Sequence, residues 1–179
     1  QYPLDEATLR KAGEFLANAK SAYEATGYEV QTTRLATIPF PKLLHGKVDQ
    51  LPLLAEKLSG ILKQIGLAYA ALGPALIEFP ESYAVIPEAI SAGENIFFGG
   101  VMADKANGIS MKAIKACAQV IQRASTIQPN GFANLSFAAL ANVKANAPFF
   151  PAAYHDADEP AFAIAVESAD LAIEAFSSG

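Results

Sequence analysis

The sequence predicts an α/β fold of alternating helices and mainly parallel strands. Three observations predict it. Amphipathic helical stripes alternate with short β-branched or apolar runs, in the order α-β-α-β-α-β-α-β-α. The helix-to-strand connections are short, while three of the four strand-to-helix connections are long. Hydrophobic residues make up 52% of the 179 and charged residues only 17%. Much of every element must therefore be buried, within the domain or against a partner.

The first helix is expected over 4–26. Asp5 and Glu6 favour its start, and Leu9, Ala12, Phe15, Leu16, Ala19 and Tyr23 form an i, i+3/i+4 stripe. Gly27 stops it. Residues 28–38 (YEVQTTRLATI) are β-branched and read as a strand, with a loop over PFPKLLHGKVDQ. Asp49 is placed to cap the second helix, which tolerates Pro52 in its first turn and is expected to reach residue 72 before Gly73-Pro74. A short strand (75–79) and a helix over 83–92 containing Pro87 follow. Residues 94–103 read as a strand closing at Gly99-Gly100. Ser110 caps a helix over 111–125, with Met111, Ile114, Cys117, Ala118 and Ile121 on one face. After the IQPNG turn come a strand (132–143), the loop KANAPFFPAAYHDADEP and a last helix (161–176).

Several function classes are disfavoured by composition. A net charge of −5 argues against nucleic-acid and anionic-membrane surfaces. No apolar run reaches the roughly 18 residues of a membrane span. The single cysteine excludes an intrachain disulfide framework and a cysteine-based zinc site. A cytoplasmic, soluble protein is expected. The chain starts at Gln1 and enters a helix almost at once, which suggests one α/β domain forming part of a longer protein.

Long strand-to-helix loops mark the binding face of a parallel α/β protein, because ligands bind at the carboxyl ends of the strands. That edge is expected to carry Phe40, His45, Asp104, Lys105, Asn107, Tyr154, His155 and Asp156. Tyr154 and His155 are the candidate catalytic acid and base, since histidine titrates near neutrality; alternatively both tie down backbone groups at a loop tip. Arg34, among Thr32, Thr33 and Thr37, is a candidate clamp for a carboxylate or phosphate, or else a member of a buried structural ion pair or simply a residue of an edge strand. Gly99, Gly100, Lys105 and Asn107 are candidate ligand-contacting positions. His155 with Asp156, Asp158 and Glu159 has the donors for a divalent cation, but acidic residues before a helix also serve as its caps, and no metal is assigned. Cys117 reads as a buried thiol, His45 as a surface loop residue, and Phe149-Phe150 as an apolar lid or packing plug. No cofactor is indicated.

Five segments together resemble a known family: PLDEATLRKAGEFL, QTTRLATIPFP, IPEAI, FFGGVMADKANGISMKAI and FAALANVKANAPFFPAAYHDADEPAFAIAVESADLAIEAF. They are similar to the DUF711 (UPF0210) family across nearly the whole chain, the last segment being the most specific. The resemblance implies a barrel like that of the glycyl-radical enzymes, in which two five-stranded parallel half-barrels close a ten-stranded barrel. This chain would then be most of the first half, lacking its first strand. There is no glycyl-radical motif, and Cys117 lies on a helix, so radical chemistry is not implied. The expectation is an enzyme acting on a small polar metabolite, with a non-catalytic binding or sensing protein and a structural or assembly protein as the alternatives. The expected partners are a small-molecule ligand and either further copies or the rest of its own chain.

Overall fold

The computed structural model describes residues 4–178. Helix α1 (Glu6–Ala25) is capped by Asp5, whose carboxylate accepts from the Ala7 amide. Its Gly13 lets the backbone approach the helix Leu51–Ile65, since a Cβ there would lie 3.1 Å from Ile65 Cβ. Strand β1 is only Arg34–Ala36, shorter than the expected 28–38. The reason is the partner: Tyr69, where the next strand begins, lies directly opposite Arg34, and before that pair only the Ala68 amide reaches across, to the Thr33 carbonyl at 3.2 Å. The expected loop after it contains a short helix, α2 (Phe40–Leu43), and a 3-10 turn at Val48–Gln50. Phe40 is fully buried there rather than on the binding edge.

Helix α3 (Leu51–Ile65) starts after Gln50, with no side-chain cap from Asp49. It ends at Gly66 (φ 70°), whose amide bonds back to the Leu62 carbonyl. It therefore does not run to residue 72. Tyr69–Ala75 is strand β2 instead, and 76–79 is a turn rather than the expected strand. Alanines suit both helix and buried strand; the left-handed glycine decides between them. After a 3-10 turn at Pro80–Tyr83, helix α4 (Ile86–Ala92) carries Pro87 in its first turn, as the pattern requires.

Strand β3 (Ile96–Asp104) passes through Gly99-Gly100 rather than stopping there. A tight turn then leads to β4 (Gly108–Ile109). Helix α5 (Met111–Ala124) is capped by Ser110 Oγ, which accepts from the Ala113 amide. Its buried side is Ala113, Cys117, Val120 and Ala124, whereas Met111 and Ile121 are exposed. Small residues, not the largest apolar ones, let α5 approach the sheet. A 3-10 segment (Pro129–Ser136) with left-handed Asn130 and Gly131 replaces the first half of the expected strand, leaving β5 at Phe137–Ala141. Helix α6 is only Ala169–Ser177.

The five-stranded sheet runs β1-β2-β3 in parallel, with β5 parallel to β3 on its other side and the two-residue β4 antiparallel at the end of β3. Alternation of side chains gives the sheet two different faces. Leu35, Ala70, Leu72, Ile96 and Phe98 point to the side where Leu54, Leu58 and Leu62 of α3 form the core. Each fully buried leucine or phenylalanine contributes about 1.5–3 kcal/mol of transfer free energy. Arg34, Tyr69 and Phe97 point the other way. That face is crossed by the segment after β5, through the contacts of Phe150.

Candidate functional site

The face opposite the helices carries a cation framed by rings. Register places Arg34 beside Tyr69, and Phe97 is within ring contact of Tyr69. The Tyr69 and Phe97 centroids are 5.4 Å apart, and Phe97 and Phe150 are 5.6 Å apart, both nearly perpendicular. This edge-to-face arrangement is the one favoured by the ring quadrupole. The Arg34 guanidinium lies 5.8 Å from the Tyr69 centroid and 5.4 Å from that of Phe150. Its Nε donates to Thr32 Oγ1 at 2.8 Å. All four residues are half-buried. Among the described residues no carboxylate is within ion-pair distance of Arg34. The chain places Arg34 on an edge strand, then, but without the acidic partner that a structural ion pair needs.

Tyr154 and His155 sit farther along the same strand. The His155 amide donates to the Thr37 carbonyl at 2.9 Å, pinning the loop just past the carboxyl end of β1. Arg34 is at the amino end, roughly 10 Å back along the strand at its usual rise. The Tyr154 hydroxyl donates to the Val143 carbonyl at 2.9 Å, and the Asn146 amide donates to the Tyr154 carbonyl at 2.8 Å. Burial, then Asp156 and Asp104, pushes the phenol above its ordinary range, so it stays protonated at neutral pH. This hydroxyl ties the loop to itself.

The imidazole is placed differently. His155 Nδ1 lies 3.0 Å from Asn146 Oδ1, which puts the proton on Nδ1. Nε2 is buried and has no hydrogen-bond partner among the described residues. A buried acceptor left unpaired is costly, so it marks a position where a donor is wanted. Asn146, in the left-handed region at φ 63°, orients the ring. No sequence pattern singled it out.

The remaining candidates divide by neighbour. A Cβ on Gly100 would lie 2.8 Å from Cys117 Sγ, 3.1 Å from Phe137 Cζ and 3.2 Å from Tyr83 Cε1, on the helix side. One on Gly99 would meet Leu140 Cδ1 at 2.9 Å. Protein side chains occupy the space over both. Cys117 is buried, and burial pushes its thiol up to about 11. Asp104, Lys105 and Asn107 form the β3–β4 hairpin. The Asp104 carboxylate accepts from the Ala106 and Asn107 amides, and the Asn107 carboxamide donates to both Asp104 and Glu78. Lys105 is exposed at its tip, as His45 is in its own turn.

The capping role for Asp156, Asp158 and Glu159 does not hold. Helix α6 begins at Ala169, too far away for them to cap it, and the acid in its first turn is Asp170. All three are exposed, and among the described residues no three His, Cys, Asp or Glu are grouped to hold a metal ion. Phe150 packs on the ring cluster while Phe149 is exposed. A cleft of about 430 Å³ lies between the Pro80–Tyr83 turn and α5, lined by Tyr83, Gln119 and Arg123, and shares no residue with the Arg34 or His155 regions.

A parallel α/β sheet with helices on one face, and a long strand-to-helix segment folded onto the other, defines a protein of the open-faced α/β class. The chain matches the family described as Uncharacterised ACR (DUF711) over residues 2–179, and it belongs to that family. A UPF0210 protein of Pyrobaculum islandicum is 28% identical over 137 residues, covering 72% of this chain and 30% of that protein. The chain thus spans under a third of the curated relative it matches. Among the described residues no helix is long and apolar enough to cross a membrane.

Proposed function

We propose that this chain is half of an α/β barrel of the cytoplasm whose second sheet face, free of helices and crossed by the segment after β5, is the wall of a site for a small polar metabolite. Parallel sheets are normally covered on both faces. Here helices cover one, and the other holds a half-buried cation with no carboxylate partner among the described residues. The coverage of the relative supports a second half contributed by a longer chain. Exposed Phe162, Ile164, Val166, Leu171, Ile173 and Phe176 support association with that remainder, or with another copy.

The single observation carrying an enzymatic reading is the buried, unpaired Nε2 of His155, held by Asn146. An imidazole nitrogen without a partner in the folded chain is the group a general base would use to take a substrate proton. Tyr154 supports this only by shaping the loop, since its hydroxyl is engaged with Val143. That engagement favours the second reading, a binding or sensing protein, because it leaves the histidine without a partner acid.

The two readings separate in a metabolite screen on the full-length protein. In the enzymatic case His155→Ala lowers turnover by about 10²–10⁴-fold while ligand affinity changes little. Binding without turnover, unchanged in His155→Ala, removes the acid/base role and leaves the binding protein.

A further inference from the structure

We propose that the Arg34 fork recognises a monocarboxylate with a flat apolar body. This rests on the reading of the helix-free face as a ligand wall, and it names what that wall selects.

The mode of engagement follows from what the guanidinium has already spent. Thr32 Oγ1 takes the Nε proton at 2.8 Å, so the side-on approach through Nε is used. The two terminal amino groups keep four N–H donors with no acceptor among the described residues. Their end-on geometry matches the two oxygens of a carboxylate. The rings of Tyr69 and Phe150 lie against the guanidinium, so its direction is fixed before a ligand arrives.

Charge and polarity narrow the class further. On the described strand residues of this face, Arg34 stands among Ala36, Tyr69, Ala71, Phe97 and Ala138, and it is their only cation. One positive charge balances a monoanion, whereas a phosphate dianion needs more. The ring edges of Phe97 and Tyr69 offer apolar contact, which suits a flat hydrocarbon body rather than a sugar. The rings and Thr32 hold the half-buried guanidinium, but among the described residues it has no anion, and a carboxylate would supply that charge partner.

The probe is benzoate, with benzamide as its neutral counterpart and inorganic phosphate as the dianionic competitor. Heteronuclear NMR on the full chain follows the Arg34 Nε–H resonance. Benzoate should shift it saturably, benzamide should not, and Arg34→Met should weaken benzoate binding by about tenfold or more. Should Arg34→Met fail to fold, Arg34→Lys keeps the charge without the fork, and Thr32→Val keeps both but frees the plane; each should still weaken binding. The proposal is overturned if the wild-type chain does not saturate with benzoate, if benzamide or phosphate binds as well, or if neither Arg34→Lys nor Thr32→Val alters affinity. A benzoate site that persists while His155→Ala leaves turnover untouched removes only the acid/base reading. Loss of the benzoate site alongside His155-dependent turnover removes only this one.

Discussion

The two faces of the sheet differ although the same strands build both. Phe97 and Phe98 are neighbours in β3. Phe98 is fully buried among the helices, whereas Phe97 stands half-open between Tyr69 and Phe150. Gly99 and Gly100 do not repeat the contrast: the space beside Gly100 is filled by Cys117, Phe137 and Tyr83, and that beside Gly99 by Leu140 and Pro74, so the difference between the faces is confined to the stretch around Arg34, Tyr69 and Phe97. The helix face is mainly apolar and close-packed, with Ser59, Ser82 and the Tyr83 hydroxyl among its buried polar groups. The other holds an arginine that a packed core would not tolerate. One face carries stability and the other is free to carry recognition.

The sharpest way to break this contrast is to truncate the neighbouring phenylalanines. Phe98→Ala should cost about 3–5 kcal/mol, the range for deleting a buried ring. Phe97→Ala should cost roughly 1 kcal/mol, as for an average substitution, because its ring is only half-removed from water. Urea unfolding of both variants measures this. Equal losses would mean that both faces are core, and the ligand-wall reading would fail with them.

How much of this contrast can be read in the sequence depends on the kind of signal. Two side-chain caps are legible in the sequence, whereas the cap expected from Asp49 and the breaks expected at Gly73-Pro74 and Gly99-Gly100 are not found. Asp5 and Ser110 mark the starts of α1 and α5, and helices alternate with strands except that α2 precedes α3 and the short β4 follows β3. Alanine-rich segments are not legible. AYAALGPA has good helix propensity, and its strand identity rests on Gly66 turning left-handed and on pairing with β1 and β3. The buried face of α5 differs from the expected one because the helix approaches the sheet through small side chains, with Cys117 packed directly over Gly100. Of the site, Arg34 and His155 stood out as residue types. Their surroundings did not, because Thr32, Tyr69, Phe97, Phe150 and Asn146 reach them only through register and the folded loop.

Two tyrosines sharpen the comparison at smaller magnitude. Each donates its hydroxyl to a backbone carbonyl, Tyr83 to Val101 at 2.6 Å and Tyr154 to Val143 at 2.9 Å. Tyr83 is almost fully buried on the helix side, and burial raises its phenol pKa further than nearby charges do. Tyr83→Phe leaves the Val101 carbonyl short of a partner in a dry site and should cost about 1–2 kcal/mol. Tyr154→Phe, with water at hand to replace the hydroxyl, should cost about 0.5 kcal/mol or less. Thermal unfolding of the pair decides it. A larger loss at Tyr154 would mean that the loop is packed as tightly as the core.

The smallest effect belongs to the rim, where both faces end at the β3–β4 hairpin. The side chain of Asn107 first, and then the Asn107 amide, hold the Asp104 carboxyl below its ordinary value. A folded-state pKa that is depressed stabilises the fold above the unfolded value of about 3.9, and that contribution is lost as pH falls through the folded value. Asp104 is half-buried at the rim and open to screening by solvent, so the effect on overall stability is slight and the carboxyl titration is the better readout. NMR titration of Asp104 should give a value below the ordinary aspartate range in the wild-type chain. In Asn107→Ala it should move part of the way back, because the backbone donors of Ala106 and Asn107 remain. An Asp104 that titrates identically in both chains would show that the carboxamide is not held in the turn. Asn107 would then be free to serve as a ligand contact on the rim, and recognition would extend beyond the helix-free face.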